Sequence, residues 1–256
     1  MSKLDSIQRG KIHLPPRLVV YGTEKIGKTT LAAGAPKPII LQTESGSNEI
    51  NCERFPLATT FGDVIESLSI LATQAHEYQT IVIDSLDWLE RLVHEATCAK
   101  FGVTHIEKVD GGYGKGYVHA LVFWRDVLSA LDYLRAEKMM CVVCIAHSKV
   151  EKFEDPECST AIDRFGLKLN KHAAALVAEW SDAIVFATRK MIVKTVESGF
   201  NKSRSTAQGL GHDGGERILR CTGGPSCVAG NRYGLAAELP LSWPVLYQQI
   251  IESQTK

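Results

Sequence analysis

Short apolar runs alternate with stretches of helical periodicity along this chain. Leu18-Val19-Val20-Tyr21 is four apolar positions long, the length of a short buried strand. Thr29-Thr30-Leu31-Ala32-Ala33 opens a helix. Gly34-Ala35-Pro36-Lys37-Pro38 stops it, because proline lacks an amide N–H and clashes inside a helix. Ile39-Ile40-Leu41-Gln42 reads as a second strand that ends in the turn Thr43-Glu44-Ser45-Gly46, and Arg54-Phe55-Pro56-Leu57 as a brief edge strand. Val64, Leu68, Leu71 and Ala75 recur at helical spacing and predict an amphipathic helix over about 61–76. Thr80-Ile81-Val82-Ile83-Asp84-Ser85 has the β-branched content of a central parallel strand, with an acid at its carboxyl end. The pattern then predicts a helix over about 86–99, a loop over 101–117 and a long helix over about 118–137 marked by Leu121, Trp124, Leu128 and Leu131. A strand over 140–146 ends at His147-Ser148, and residues 149–167 are charged and aperiodic. A helix over about 168–180 and a strand over 182–187 follow. Residues 188–235 hold strand-like pieces, 191–196 and 217–221, between Gly-rich turns, with 200–216 reading as mobile. A last helix covers about 243–253. Residues 1–17 are polar, end in Pro15-Pro16 and read as an extended lead-in to one domain over 18–256.

Strands alternating with helices predict a mainly parallel α/β sheet flanked by helices, with a hairpin-rich C-terminal part. Ligands of such sheets lie at the carboxyl ends of the strands. Four sequence features fall there: Gly22 to Thr29, Glu44, Asp84 and His147. The first is Gly22-Thr23-Glu24-Lys25-Ile26-Gly27-Lys28-Thr29, which matches G-x-x-x-x-G-K-[ST] between a strand and a helix. Its backbone N–H groups, with the helix start including Thr30, are suited to cradle phosphates. Lys28 is placed to reach the β- and γ-phosphates of ATP, and the Thr29 hydroxyl to ligate Mg²⁺. Asp84 ends an apolar strand downstream and is the expected support for that Mg²⁺. Asp87, three residues on, is either a weaker metal candidate or a cap for the following helix. Glu44 is either a general base for the attacking water or a surface turn residue.

Composition narrows the setting. Hydrophobic residues make up 45% and charged residues 23%, with Lys plus Arg and Asp plus Glu both at 29. Zero net charge argues against binding nucleic acid or membrane through bulk charge, while leaving room for a local basic groove. No apolar run is long enough to span a bilayer and the start is no signal peptide, so a cytoplasmic, membrane-free location is expected. Seven cysteines at wide spacing suggest no disulfide framework. Cys141 and Cys144 have C-x-x-C spacing, but on a strand they point to opposite faces and cannot share a metal. Cys221 and Cys227 flank a Gly-Gly-Pro turn, either meeting across it or packing separately.

The order of these features resembles the RecA-like ATPases. That resemblance implies a catalytic glutamate at Glu44, a metal aspartate at Asp84 and a γ-phosphate sensor at His147, whose alternative is a hydrogen-bonded core histidine. Ile145-Ala-His-Ser-Lys149, Asp163-Arg-Phe-Gly-Leu-Lys-Leu-Asn-Lys171 and Ala178-Glu-Trp-Ser-Asp182 narrow it. With Gly230-Asn-Arg-Tyr-Gly-Leu235 and Pro240-Leu-Ser-Trp243, they are similar to a phage family of short RecA-like proteins described as nucleotide-binding proteins and single-strand annealing recombinases. The similarity covers about 17–245.

Membership of that family implies two DNA-facing loops, over about 102–117 and 149–167. Lys108, Tyr113, Lys115 and Tyr117 lie in the first. Lys149, Lys152, Phe153, Arg164 and Phe165 lie in or beside the second. Lysines pair with phosphates and aromatics stack on bases, yet Glu107, Asp110, Glu151, Glu154, Asp155 and Glu157 are interleaved and cancel the charge. Lys168 and Lys171, three apart at an expected helix start, share a face. With Arg164, they are the candidates to act in trans on a neighbour's γ-phosphate in a ring or filament. The implied partners are single-stranded DNA, further copies of the chain and a single-strand DNA-binding protein. Two other readings fit the same motifs: a nucleotide-switched module regulating a replication or recombination protein, and a helicase-like motor.

Overall fold

The computed structural model describes residues 4, 7, 9–154, 160–197, 203–209 and 215–255. A sheet of ten strands forms its middle layer. The central five are parallel: β1 (Arg17–Gly22) lies between β5 (Cys141–Phe153) and β7 (Ala183–Arg189), and β4 (Thr80–Asp84) lies between β5 and β2 (Pro38–Gln42). Two-residue β3 (Glu53–Arg54) closes one edge. Beyond β7 the sheet turns antiparallel, through β10 (Arg217–Arg220) to β12 (Glu238–Pro240), with β11 (Gly230–Asn231) also pairing β7.

Strand alternation sorts the core onto two faces. Val19, Tyr21, Ile81, Ile83, Val142 and Cys144 bury one face under α2 (Phe61–Thr73), α3 (Leu86–Phe101), α4 (Lys115–Glu137) and α5 (Lys171–Trp180). Leu18, Val20, Val82, Cys141, Val143 and Val185 bury the other under α1 (Lys28–Ala33) and α6 (Trp243–Thr255). Cys141 and Cys144 therefore lie on opposite faces. The cysteines among the described residues, Cys221 and Cys227 included, are free.

Capping sets where α2 begins. The Thr60 side chain accepts from the Asp63 main-chain N–H while Asp63 accepts from the Thr60 N–H. The lead-in is held down where it meets the sheet: Arg135 Nε donates to Pro15 O at 2.6 Å and Gln254 Nε2 to Leu14 O at 3.2 Å.

Four expectations are corrected. The 101–117 segment is no plain loop, because Ile106–Gly111 forms a 3₁₀ turn and α4 begins at Lys115, not at 118. The 149–167 segment is no aperiodic loop either. β5 runs on to Phe153 and pairs antiparallel with β6 (Ile162–Leu167), from Ser148 opposite Leu167 to Phe153 opposite Ile162. The apolar run ends at Ala146, and the hairpin continues with charged residues, of which Arg164 on β6 meets Glu151 on β5 at 3.1 Å. Lys168 lies outside α5, which starts at Lys171, so these two lysines share no helical face. Within 200–216, residues 203–209 are strand β9 (Ser203–Gly209), paired with β8 (Met191–Glu197). Residues 155–159, 198–202 and 210–214 lie outside the described residues, and with them Asp155, Glu157 and part of the 200–216 segment.

Candidate nucleotide site

Register brings four strands, β1, β4, β5 and β7, together where the phosphate loop leaves the sheet. Gly22 is opposite His147 on one side and Ala187 on the other, and Asp84 is opposite Ile145. A Cβ on Gly22 would meet Ala187 O at 2.2 Å, so only glycine lets β1 leave the sheet here. The loop then turns through left-handed backbone at Lys25 (φ 59°) and Gly27 (φ 108°), the latter a conformation glycine adopts without strain.

Lys28 is 6% exposed. Its Nζ donates to Gly22 O at 2.9 Å and Thr23 O at 2.8 Å. Burial lowers its pKa, opposed by the charges of Asp84, Asp87, Glu24 and Glu44. Thr29 Oγ1 donates to Asp84 Oδ2 at 2.8 Å. Burial raises the Asp84 carboxyl, against the Thr29 hydrogen bond and the charges of Lys28 and His147. Two hard oxygen donors at that separation fit one edge of a Mg²⁺ octahedron, where oxygens about 2.1 Å from the ion stand about 3.0 Å apart.

Glu44 follows β2, its loop tied to β4 by Thr43 N donating to Asp84 O at 2.7 Å. Burial raises the Glu44 pKa, with His147 opposing and Asp84 and Asp87 adding to it. Glu24, Lys28, Thr29, Glu44, Asp84 and His147 line one cleft of about 340 Å³. A larger hollow of about 1020 Å³ lies beside β3, lined by none of these six.

Asp87 bonds to His147 rather than capping α3. Its carboxylate accepts from the His147 main-chain N–H at 3.0 Å and from His147 Nδ1 at 3.0 and 3.1 Å. That hydrogen bond is the main reason the His147 pKa is raised, against burial. Two further residues are not singled out by any motif. Arg217 of β10 donates through Nη1 to Ile26 O at 3.4 Å. Glu90 of α3 accepts from the Asn170 N–H at 2.9 and 3.0 Å, and burial pushes its pKa up to about 7. Both depend on partners at least 80 residues away, which no local spacing reveals.

The residues expected at DNA divide into two groups. Tyr113 is fully exposed on a run of left-handed backbone from Asp110 to Gly114. With Lys115, Tyr117 and Lys171 it lines a hollow of about 330 Å³. Lys115 also bonds Asp110, and the Tyr117 hydroxyl bonds Glu107. On the β5–β6 hairpin, Arg164 lies over the Phe153 ring at 4.0 Å and bonds Glu151, while Lys149 donates to Leu169 O. Phe165 packs on Phe186 in the core, and Lys152 is exposed. Lys168 donates its main-chain N–H to His147 O at 2.9 Å, and its charge reaches Glu24 of its own chain.

A phosphate loop on β1, an acid ending β4 and the intervening β5 define a P-loop nucleotide site of the AAA type on a mainly parallel α/β sheet. The chain belongs to the AAA domain family, whose model matches residues 14–233. It is 26% identical over 139 residues to the SPbeta prophage-derived uncharacterized protein YorG of Bacillus subtilis (strain 168), a match covering 53% of this chain and 42% of that protein. The RadB recombinase crystal structure aligns over 91% of this chain and 89% of its own, at 15% identity and a TM-score of 0.46. Among the described residues, no helix is long and apolar enough to cross a membrane.

Proposed function

We propose that this P-loop NTPase binds ATP with Mg²⁺, hydrolyses it, and in the ATP-bound form assembles on single-stranded DNA to promote annealing or strand exchange. The convergence of Lys28, Thr29, Glu44, Asp84 and His147 on one cleft carries the ATPase part. In this reading Lys28 holds the β- and γ-phosphates, and Thr29 and Asp84 hold the metal, which offsets phosphate charge when bound. Glu44 takes a proton from water as its oxygen attacks the γ-phosphorus. The bond to the β–γ bridging oxygen breaks and ADP leaves. A raised pKa suits Glu44 to accept that proton. His147 reads the γ-phosphate.

Tyr113, Lys115, Tyr117 and Lys171 support the DNA part: an exposed ring for stacking beside cations for phosphate. Lys152 adds a second contact, and Lys108 lies on the 3₁₀ turn below the first group. Lys171 and Arg164 are the candidates for action on a neighbouring subunit, and a single-strand DNA-binding protein is a candidate partner. One observation favours the nucleotide-switched regulatory module instead: acids of the same segments pair with Lys115, Lys149 and Arg164. The deciding experiment measures single-stranded DNA binding with ATP or a non-hydrolysable analogue across salt concentrations. ATP-dependent binding that weakens with salt and drops at least about tenfold in Tyr113→Ala is expected. DNA-independent behaviour with specific capture of a replication protein would select the switch.

A further inference from the structure

Asp87 is a buried acid, 7% exposed, that the reading above leaves without a part. A buried carboxylate is costly unless charged or polar groups meet it. Here His147, sixty positions away, supplies two donors. Asp87 stands in the first turn of α3, where a carboxylate also favours the helix dipole. Its carboxylate, however, bonds across to His147 of β5 and not to the helix N–H groups. The helix-cap expectation is thereby corrected.

The clamp has a chemical consequence. An ionised carboxylate only accepts, so His147 Nδ1 must carry a proton where it meets Asp87. Nε2 is then the ring's remaining nitrogen. The groups facing the ring from neighbouring elements are Glu44 after β2, Asp84 of β4, Lys28 and Glu24 of the phosphate loop, and Asp87 of α3. One ligand-capable atom from each of Glu44, Asp87 and His147 lies within 4.8 Å of the other two.

We propose that Asp87 is a positioning residue for hydrolysis: it holds His147 with Nδ1–H turned inward, so that Nε2 alone serves the γ-phosphate and Glu44. This deepens the ATPase reading and rests on it. Asp87 touches neither nucleotide nor water in this scheme, and acts through His147. It also ties α3, the helix leading to the Tyr113 loop, to the middle of β5, where the γ-phosphate is read.

The sharpest substitution is Asp87→Asn. The amide carbonyl can keep the His147 main-chain bond, but its NH₂ then faces Nδ1 and demands an acceptor there. The full-length chain, labelled with ¹⁵N-histidine and free of nucleotide, is read by long-range ¹H–¹⁵N NMR, with His147 assigned by its loss in His147→Gln. The wild type is expected to show a proton on Nδ1, and Asp87→Asn to move it to Nε2. In turnover assays Asp87→Asn lowers kcat about tenfold or more, with affinity for a fluorescent ATP analogue within about threefold of wild type. Added to His147→Gln, it costs nothing further.

A wild-type His147 bare at Nδ1 overturns the proposal even if no variant folds. So do an unchanged ring in Asp87→Asn and an additive loss in the double variant. The NMR result needs no turnover. A wild type that shows the Nδ1 proton but hydrolyses nothing therefore sinks the ATPase reading, while a bare Nδ1 in an active enzyme sinks this inference alone. Wild-type turnover in His147→Gln removes the sensor and, with it, the role of Asp87.

Discussion

At the scale of single residues, the site is a set of charges whose environments pull their proton affinities apart. Burial holds the Glu44 carboxyl above its ordinary value of 4.5, and the bond to Asp87 holds His147 above its ordinary 6.5. A base works only when deprotonated, and a phosphate-reading imidazole donates from Nε2 only as a cation. The free-enzyme profile of kcat/KM is therefore expected to rise with pH through a value above 4.5 and to fall again through a value above 6.5. An acid limb at or below 4.5, or no alkaline fall, would contradict this assignment of proton states. The positions that line the cleft were legible because phosphate binding confines its chemistry to eight consecutive residues, and because apolar strands advertise the polar residue that ends them. Asp87 was not legible as a partner of His147. Its sequence context is that of any acid in a first helical turn, and the residue it serves is on strand β5, sixty positions on.

At the scale of elements, the α3–α5 joint is held by a carboxyl that resists ionising. Glu90 accepts the Asn170 N–H at the cap of α5, and burial sets its pKa near 7. The sign follows from linkage. Below the unfolded value of 4.5 both states are protonated and nothing is lost; between 4.5 and about 7 the unfolded chain ionises first, so stability falls as pH rises. Glu90→Gln keeps an acceptor for Asn170 and removes that penalty. Thermal unfolding is expected to show a gain of about 1–2 kcal/mol at pH 8 and almost none near pH 4. An equal effect at both pH values would place the Glu90 titration elsewhere. Helices and buried strands were readable within a few residues because each carries one period. The β5–β6 hairpin was not: Lys149, Glu151 and Arg164 look like a solvated run until β6 lies alongside and pairs them. The start of α4 was missed for a related reason. Three glycines precede it, and only tertiary contact with the 3₁₀ turn decides where the helix begins.

At the scale of the molecule, the same sheet that gathers the site at one end is fastened at the other by charge. Asp182, 6% exposed, meets Arg17, Arg135 and Arg232 at 2.9 to 3.2 Å. Burial alone would raise its pKa; hydrogen bonds from Arg17 and the arginine charges hold it below the ordinary carboxylate value of 3.8. Its contribution is thus present above that value and lost only as pH falls through the lower folded one. Asp182→Ala takes the carboxylate partner from Arg135 and leaves Arg17 with Asp132 alone, and urea unfolding is expected to show a loss of about 3 kcal/mol with an unchanged m value. A loss under about 1 kcal/mol would mean that the arginines find other partners. This network joins β1, α4 and the start of β7, which is why no sequence window contains it. The central claim concerns the opposite end, where five side chains from four separate segments meet on one cleft. Its most direct test is steady-state ATP turnover of Glu44→Gln beside nucleotide affinity, with Lys28→Ala as the binding-defective control. The account predicts Glu44→Gln affinity within about threefold of wild type and turnover reduced about a hundredfold or more. Wild-type turnover in Glu44→Gln would contradict it and take Glu44 out of the reaction.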